Sequence, residues 1–400
     1  MKCGDSMKKK LLFVIPSLRS GGAEKSLITL LSLMDYARYD VDLLCFRRDG
    51  LFFDKIPREV NVIKGTEDYE MFDGDAKSAV KYFIKKGKFS AVADRIQYIR
   101  CYKEPVQELK DKKMWDLLKK QLPQLNKKYD CVIGYLEGNA SYYAADYENT
   151  PKRICYVHSD IKKLGINKKM NTEAFEKCDV IVTVSQACAD SIAEEFPFTK
   201  RKITVIENIT STKLLKQSAQ EETAFNRTDE KKIILTVGRF SPPKGIDLAV
   251  KASAILKNKG YSFKWYHIGT GELKAEIESL ISSLGVENEF ILLGERSNPY
   301  PYIGQCDIYV QPSRYEGKSI AIDEAKCLCR PIVTTDFTTV SDQIQDGING
   351  LVCEMNERDI AGKIEKLLND EELRNELIRN LSEEKTGNEE ELEKFYSILN

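Results

Sequence analysis

Short apolar runs alternate along this chain with longer stretches in which apolar residues return every three or four positions. Runs of four to six residues rich in Val, Ile, Leu and Phe predict buried strands, and the longer stretches predict the helices that connect parallel strands. The first half predicts strands at 11–15, 41–46, 131–135, 154–157, 180–184 and 204–206. The second half predicts them at 233–237, 263–268, 290–293, 308–311 and 331–334. Residues 23–34 and 248–258 are two of the intervening helices. Strand–helix alternation from end to end predicts an α/β fold on parallel sheets. No fixed period recurs, which excludes a solenoid, and no run approaches the ~20 apolar residues of a membrane-spanning helix.

Between 210 and 232 the character changes. The stretch STKLLKQSAQEETAFNRTDEKK is polar and poor in strand formers, so it reads as a linker between two sheet-centred halves. The expected divisions are 1–210, 211–385 and a glutamate-rich helical segment, 386–400. Charge is balanced overall: 61 basic and 62 acidic residues leave a net −1, which argues against nucleic acid as a partner. It is not balanced locally. Residues 77–128 hold 15 Lys or Arg against 5 Asp or Glu, with Val80, Phe83, Ile84, Val92, Ile96 and Ile99 recurring at near-helical spacing. Such a stretch fits an anionic membrane surface, and it equally fits a solvated helix whose apolar face packs on its own domain.

Eleven cysteines are scattered without a C-x-x-C pair, and most sit in apolar runs, so free thiols in a reducing cytoplasm are expected. With only His158 and His267, a zinc site is not expected. The opening MKCGDSMKKK has no apolar core of signal-peptide length, which predicts no export; Met7 is an alternative start to Met1.

Two segments carry candidate chemistry. The strand at 233–237 runs directly into GRFSPPKG, placing Arg239 and Lys244 just beyond a parallel strand's carboxyl end, where open α/β sheets bind ligands. Two cations there suit a pyrophosphate, although ordinary loop cations fit the same spacing. The strand at 308–311 ends in QPSRYEGKSIAIDE, with a helix expected near Ser319. Gly317 relieves crowding in the turn, and the N–H groups of Lys318, Ser319 and Ile320 at a positive helix end form a phosphate-binding geometry. Glu316 and Glu324 lie eight residues apart, the first suited to sugar hydroxyls and the second to a ribose diol; two exposed carboxylates are the alternative.

GRFSPPKG, PSRYEGKSIAIDE and DGINGLV together resemble the retaining, nucleotide-sugar-dependent glycosyltransferases of family four, and VIPSLRSGGAEKSLITLL is similar to that family's opening strand, glycine loop and helix. The resemblance covers most of the chain and is weakest at 50–130. It implies a GT-B fold, two Rossmann-like parallel-sheet domains facing each other across a cleft, with the acceptor on the first, the donor nucleotide on the second and the closing helix packed back on the first. It implies that Arg239 and Lys244 contact the donor diphosphate, that Glu316 binds the donor sugar and Glu324 the ribose, and that Ser319 and Ile320 meet phosphate. Gly21 and Gly22 match the family's glycine loop. His158 matches a histidine near the sugar, and a histidine capping a helix also fits its position. Arg296 is a candidate neighbour of the base, for which uridine is expected.

The implied reaction is hexosyl transfer with retention, from a nucleotide sugar to a glycan or lipid-linked acceptor in bacterial surface-polysaccharide synthesis. No metal or other cofactor is expected, and the enzyme would be cytoplasmic or peripheral on the inner membrane face through 77–128. The chain departs from the family pattern at Lys318-Ser319, at Thr338-Thr339 with Asp342, and at Glu207-Asn208-Ile209, so a preference for one sugar does not follow. A dehydrogenase fails on spacing, since no G-x-G-x-x-G follows the first strand. An epimerase or phosphorylase of the same fold, or a non-catalytic sugar-nucleotide-binding protein, remains an alternative.

Overall fold

The computed structural model describes residues 8–19, 21–104, 106–162, 167–221, 224–225, 231–316 and 318–399, apart from the side chain of Glu108. Met1, Cys3, Met7, Ser20 and Gly317, which enter the sequence reading, lie outside the described residues. The chain divides into two compact units, Met1–Ile209 with Glu390–Asn400, and Thr210–Glu389.

The first unit is built on seven strands: β1 (Lys9–Ile15), β2 (Tyr39–Cys45), β3 (Asn61–Lys64), β4 (Cys131–Gly134), β5 (Arg153–Val157), β6 (Val180–Thr183) and β7 (Ile203–Val205). All pair in parallel, in the order β3-β2-β1-β4-β5-β6-β7. Side chains alternate between the faces. Leu12, Val14, Leu44, Val132 and Val157 enter one core, while Leu11, Phe13, Ile15, Leu43 and Ile133 enter the other. Burial on both faces is why these strands read as unbroken apolar runs. The order reverses between β1 and β4, so the loops leaving their carboxyl ends diverge and open a crevice.

The closing helix, Glu391–Ile398, completes the second of these cores. The Phe395 ring lies 6.0 Å from that of Phe13, and Tyr396 stacks on Tyr39 at 5.3 Å. The Tyr396 hydroxyl accepts the Asp35 N–H at 2.8 Å, and Lys9 Nζ donates to the Leu399 carbonyl at 3.1 Å. Between β3 and β4 the chain inserts four helices, Glu67–Asp73, Ala76–Lys85, Phe89–Cys101 and Gln107–Lys119. Edge-on contacts of Phe72 with Phe83 and Tyr98 tie the first three together.

The second unit has six parallel strands: β8 (Lys232–Val237), β9 (Phe263–Ile268), β10 (Phe290–Gly294), β11 (Ile308–Gln311), β12 (Ile332–Thr335) and β13 (Leu351–Cys353). Their order is β10-β9-β8-β11-β12-β13, with the reversal between β8 and β11. Again each face has its own core.

Three expectations need correction. The polar stretch after 210 is not all linker: Thr212–Ser218 is a helix, capped by Ser211 Oγ and held by buried Leu215. Too few turns are present for a periodic signal to emerge from the polar background. Two strands, β3 and β13, escaped the apolar pattern because both are short edge strands, of four and three residues. Free thiols throughout are also not what the structure shows: Cys155 and Cys178 are paired in the core of the first unit. Among the described residues no helix is long and apolar enough to cross a membrane.

Candidate functional site

In the second unit the chain leaves β8 through Gly238, Arg239 and Phe240, turns at Pro242–Lys244 and enters the helix Ile246–Asn258. Gly245 makes this turn possible. Its φ of +62° is left-handed, and a Cβ there would lie 2.0 Å from the Pro312 carbonyl oxygen, so the loop after β8 packs directly on the loop after β11. The Arg314 N–H donates to the Pro243 carbonyl at 2.7 Å, and Arg314 grips Asp247 with two 2.7 Å hydrogen bonds. The two loops flank the crevice where the strand order reverses.

Glu316 lies on this junction and is 8% exposed. Its Oε1 accepts from Lys244 Nζ at 2.7 Å, Ser313 Oγ at 2.7 Å and Gln311 Nε2 at 3.1 Å, while Oε2 accepts from Lys244 Nζ at 2.9 Å. Gln311 is held in turn by Tyr309 Oη, which donates to its Oε1 at 2.8 Å, and Thr339 Oγ1 donates to the Glu316 carbonyl. A carboxylate so surrounded is fixed in place, as a group that must orient a substrate needs to be. Arg239 contrasts with it: its side chain is exposed and, among the described residues, has no protein partner. The site thus joins one ungripped guanidinium to an ammonium held by a buried carboxylate.

Glu324 lies within the helix Ile320–Cys327 and is 2% exposed, with Tyr300 Oη 3.3 Å from its Oε1. Neither glutamate is a surface carboxylate. Burial and the Glu324 charge push the Tyr300 phenol well above its ordinary range, so Tyr300 stays a donor.

Ser319 corrects the sequence reading. It caps the helix but is 2% exposed, and its N–H donates to Gln343 Oε1 at 2.8 Å, while Gln343 Nε2 returns a 2.8 Å bond to the Ser319 carbonyl. A second 2.8 Å bond runs from Gln343 Nε2 to Asp323. A side-chain amide therefore takes the N–H that the sequence offered to phosphate. Ile320 opens the helix and is half-buried. Arg296 follows β10, two strands from β8, and among the described residues its exposed guanidinium reaches only the Glu295 carbonyl, at 3.0 Å. It lies in the same unit as Arg239 and Lys244.

In the first unit, Gly21 and Gly22 stand after β1, where Gly21 caps the helix Gly22–Leu33 in extended conformation. His158 follows β5. Its N–H donates to Glu137 Oε2 at 2.9 Å, and its Nε2 lies 3.1 Å from the Tyr135 carbonyl oxygen. A carbonyl only accepts, so this contact puts the ring proton on Nε2 and the lone pair on Nδ1. Tyr156 stacks on the ring at 5.6 Å. Burial lowers the His158 pKa, against the opposing pull of Glu137, the Tyr135 carbonyl and Asn208, so the ring is neutral near pH 7.

Gln311, Ser313, Gln343, Glu137 and Tyr300 were not singled out from sequence. The nearest signal was the PS dipeptide before Glu316, which contains Ser313. The partners of Gln343 and Glu137 are set by the fold, 24 and 21 residues away.

Comparison with known proteins follows the same division. The model described as Glycosyltransferase Family 4 matches residues 20–214, and that described as Glycosyl transferases group 1 matches 218–384. Over 371 residues, 92% of each chain, this chain is 27% identical to an N-acetylgalactosamine-N,N'-diacetylbacillosaminyl-diphospho-undecaprenol 4-alpha-N-acetylgalactosaminyltransferase of Campylobacter jejuni. It is 29% identical to the capsular polysaccharide biosynthesis glycosyltransferase CapM of Staphylococcus aureus, over 55% of this chain and 61% of that one. Among solved structures, HepE of Anabaena in complex with UDP-glucose aligns with a TM-score of 0.66 and 16% identity, over 98% of this chain and 99% of that one.

Proposed function

The chain belongs to the family-four glycosyltransferases of GT-B fold, and from that premise we propose that it moves a hexosyl unit from a UDP-sugar to a glycan or lipid-linked saccharide, with retention of anomeric configuration. The observation that carries this reading is the junction of Arg239, Lys244 and Glu316 at the strand reversal of the second unit. Arg239 and Lys244 meet the diphosphate there, Glu316 orients the sugar, and Glu324 takes the ribose diol. As the bond from the sugar C1 to the diphosphate oxygen breaks, its electron pair leaves with the UDP, and the two cations stabilise the growing charge. The acceptor oxygen bonds to C1 and its proton passes to the leaving phosphate. These cations supply the charge that a metal ion would otherwise provide.

The first unit takes the acceptor, with the glycines after β1 allowing close backbone approach and the neutral His158 standing just beyond β5. The curated relatives support a place in bacterial surface-polysaccharide synthesis, since one bears a lipid-linked acceptor in its name and another a capsule. The test is incubation of the pure protein with a panel of UDP-sugars and undecaprenyl-diphosphate saccharides. Released UDP should accompany a product one hexosyl unit heavier, with an axial anomeric bond by NMR when the donor's is axial. Isomerised donor without UDP, or no turnover with any pair, would count against the proposal.

A further inference from the structure

The helix Phe89–Cys101 is apolar on two opposite sides. Ala91, Tyr98 and Cys101 face the core of the first unit, while Phe89, Ala93, Ile96 and Ile99 form a stripe on the solvent side at helical spacing. A helix lying on a domain needs one apolar face, so the outer stripe is not explained by folding. It continues past both helix ends. The segment from Ile84 to Ser90 (IKKGKFS), which spans the turn between this helix and Ala76–Lys85, is wholly exposed, with Ile84 53% and Phe89 70% accessible; after the helix, Tyr102 is 61% accessible. Of twelve large apolar or aromatic side chains exposed among the described residues, seven fall between Ile84 and Leu109.

Cations surround the stripe. Lys86 and Lys88 are paired with Glu67 and Asp68, but Lys77, Lys81, Lys85, Arg100 and Lys103 are exposed and have no acidic partner among the described residues. Apolar side chains ringed by unpaired ammonium and guanidinium groups complement a surface that is anionic at its face and apolar beneath, which is what a bilayer of acidic lipids presents.

We propose that the outer face of the helices Ala76–Lys85 and Phe89–Cys101 docks on an anionic lipid surface, with Ile84, Phe89 and Ile96 entering the headgroup boundary and Lys81, Lys85, Arg100 and Lys103 meeting lipid phosphates. The proposal needs neither donor nor acceptor, so its test is separate from that of the enzymatic reading. The full chain is sedimented with vesicles of phosphatidylcholine alone, and with one third phosphatidylglycerol, at rising NaCl. Binding should require the acidic lipid and weaken steeply between ~0.05 and ~0.5 M salt. Replacing Lys81→Gln together with Lys85→Gln should lower partitioning roughly 30-fold. Replacing Phe89→Ser together with Ile96→Ser should lower it roughly 10-fold or more and leave a weaker, salt-sensitive remainder. Circular dichroism and thermal unfolding identical to wild type establish that these exposed changes leave the fold intact. Binding indifferent to lipid charge, or unchanged in both variants, overturns the proposal. So does a dimer in sedimentation velocity that the serine variant dissolves, because the face would then belong to a second copy of the chain.

Discussion

Substitution of Glu316 by glutamine should separate binding from turnover, and the hydrogen bonds around that carboxylate set the expected sizes. In the wild type, Oε1 takes three donors and Oε2 takes Lys244 alone. A glutamine keeps its oxygen at the Oε1 position, where Ser313 and Gln311 still donate, and so presents its amide NH₂ to Lys244 from 2.9 Å. Two donors then face each other at that contact, and the ammonium keeps only its 2.7 Å bond to a neutral amide oxygen, with no opposite charge to hold it. A phosphate approaching Lys244 no longer competes with a carboxylate, so UDP affinity should hold or rise by up to about 10-fold. Turnover should fall by about 100-fold or more, as when a fixed group at a reacting centre is lost.

Lys244→Ala works in the other direction. It removes a charge-assisted bond to diphosphate, about 2 kcal/mol, so UDP affinity should drop roughly 30-fold and turnover with it. It also strands a buried carboxylate and should destabilise the second unit by about 2 kcal/mol. Adding Glu316→Gln to Lys244→Ala should recover most of that stability, because a neutral amide remains where an unpaired anion would be. Calorimetric titration with UDP, a released-UDP assay and urea unfolding of the four proteins give the complete cycle. Equal losses of affinity and turnover in Glu316→Gln, or strictly additive stabilities, would refute the reasoning.

Other residues offer independent checks. His267 is fully buried beneath the loop after β8, stacked on Phe240 at 4.3 Å, and burial pushes its pKa down to about 3. The unfolded chain binds this proton near pH 6.5 and the folded chain does not, so stability is present above that pH and is lost as pH falls, by about 2 kcal/mol at pH 5. His267→Phe should flatten this dependence, read from Trp265 fluorescence during urea unfolding in a Trp115→Phe background; an unchanged slope would contradict it. Gly245→Ala forces a left-handed residue against the Pro312 carbonyl, so it should lower the melting temperature and UDP affinity together, at a cost of about 2 kcal/mol or more. Phe395→Ala should destabilise the first unit by about 3–5 kcal/mol while UDP affinity stays intact, as measured by calorimetry; a loss confined to the second unit would sink it.

The parallel strands were legible because burial on both faces turns each into a plain apolar run, as in Leu11 to Ile15. Short edge strands such as β3 offered no such run. The site was legible where strand ends and loop residues are consecutive, so Arg239, Lys244 and Glu316 could be placed beyond β8 and β11. What decides the state of each group was not. Gln343 takes the Ser319 N–H, and Glu324 is buried; both depend on neighbours far away in sequence. Charge counting found the basic segment 77–128, but only the packing of Phe89–Cys101 distinguishes its inner apolar face from its outer one.

A crystal of this protein grown with UDP puts the central claim to its most direct test. The account predicts diphosphate density at the ends of β8 and β11, against Arg239 and Lys244, with the ribose at Glu324. A second unit without nucleotide, or UDP bound elsewhere on the chain, would contradict it.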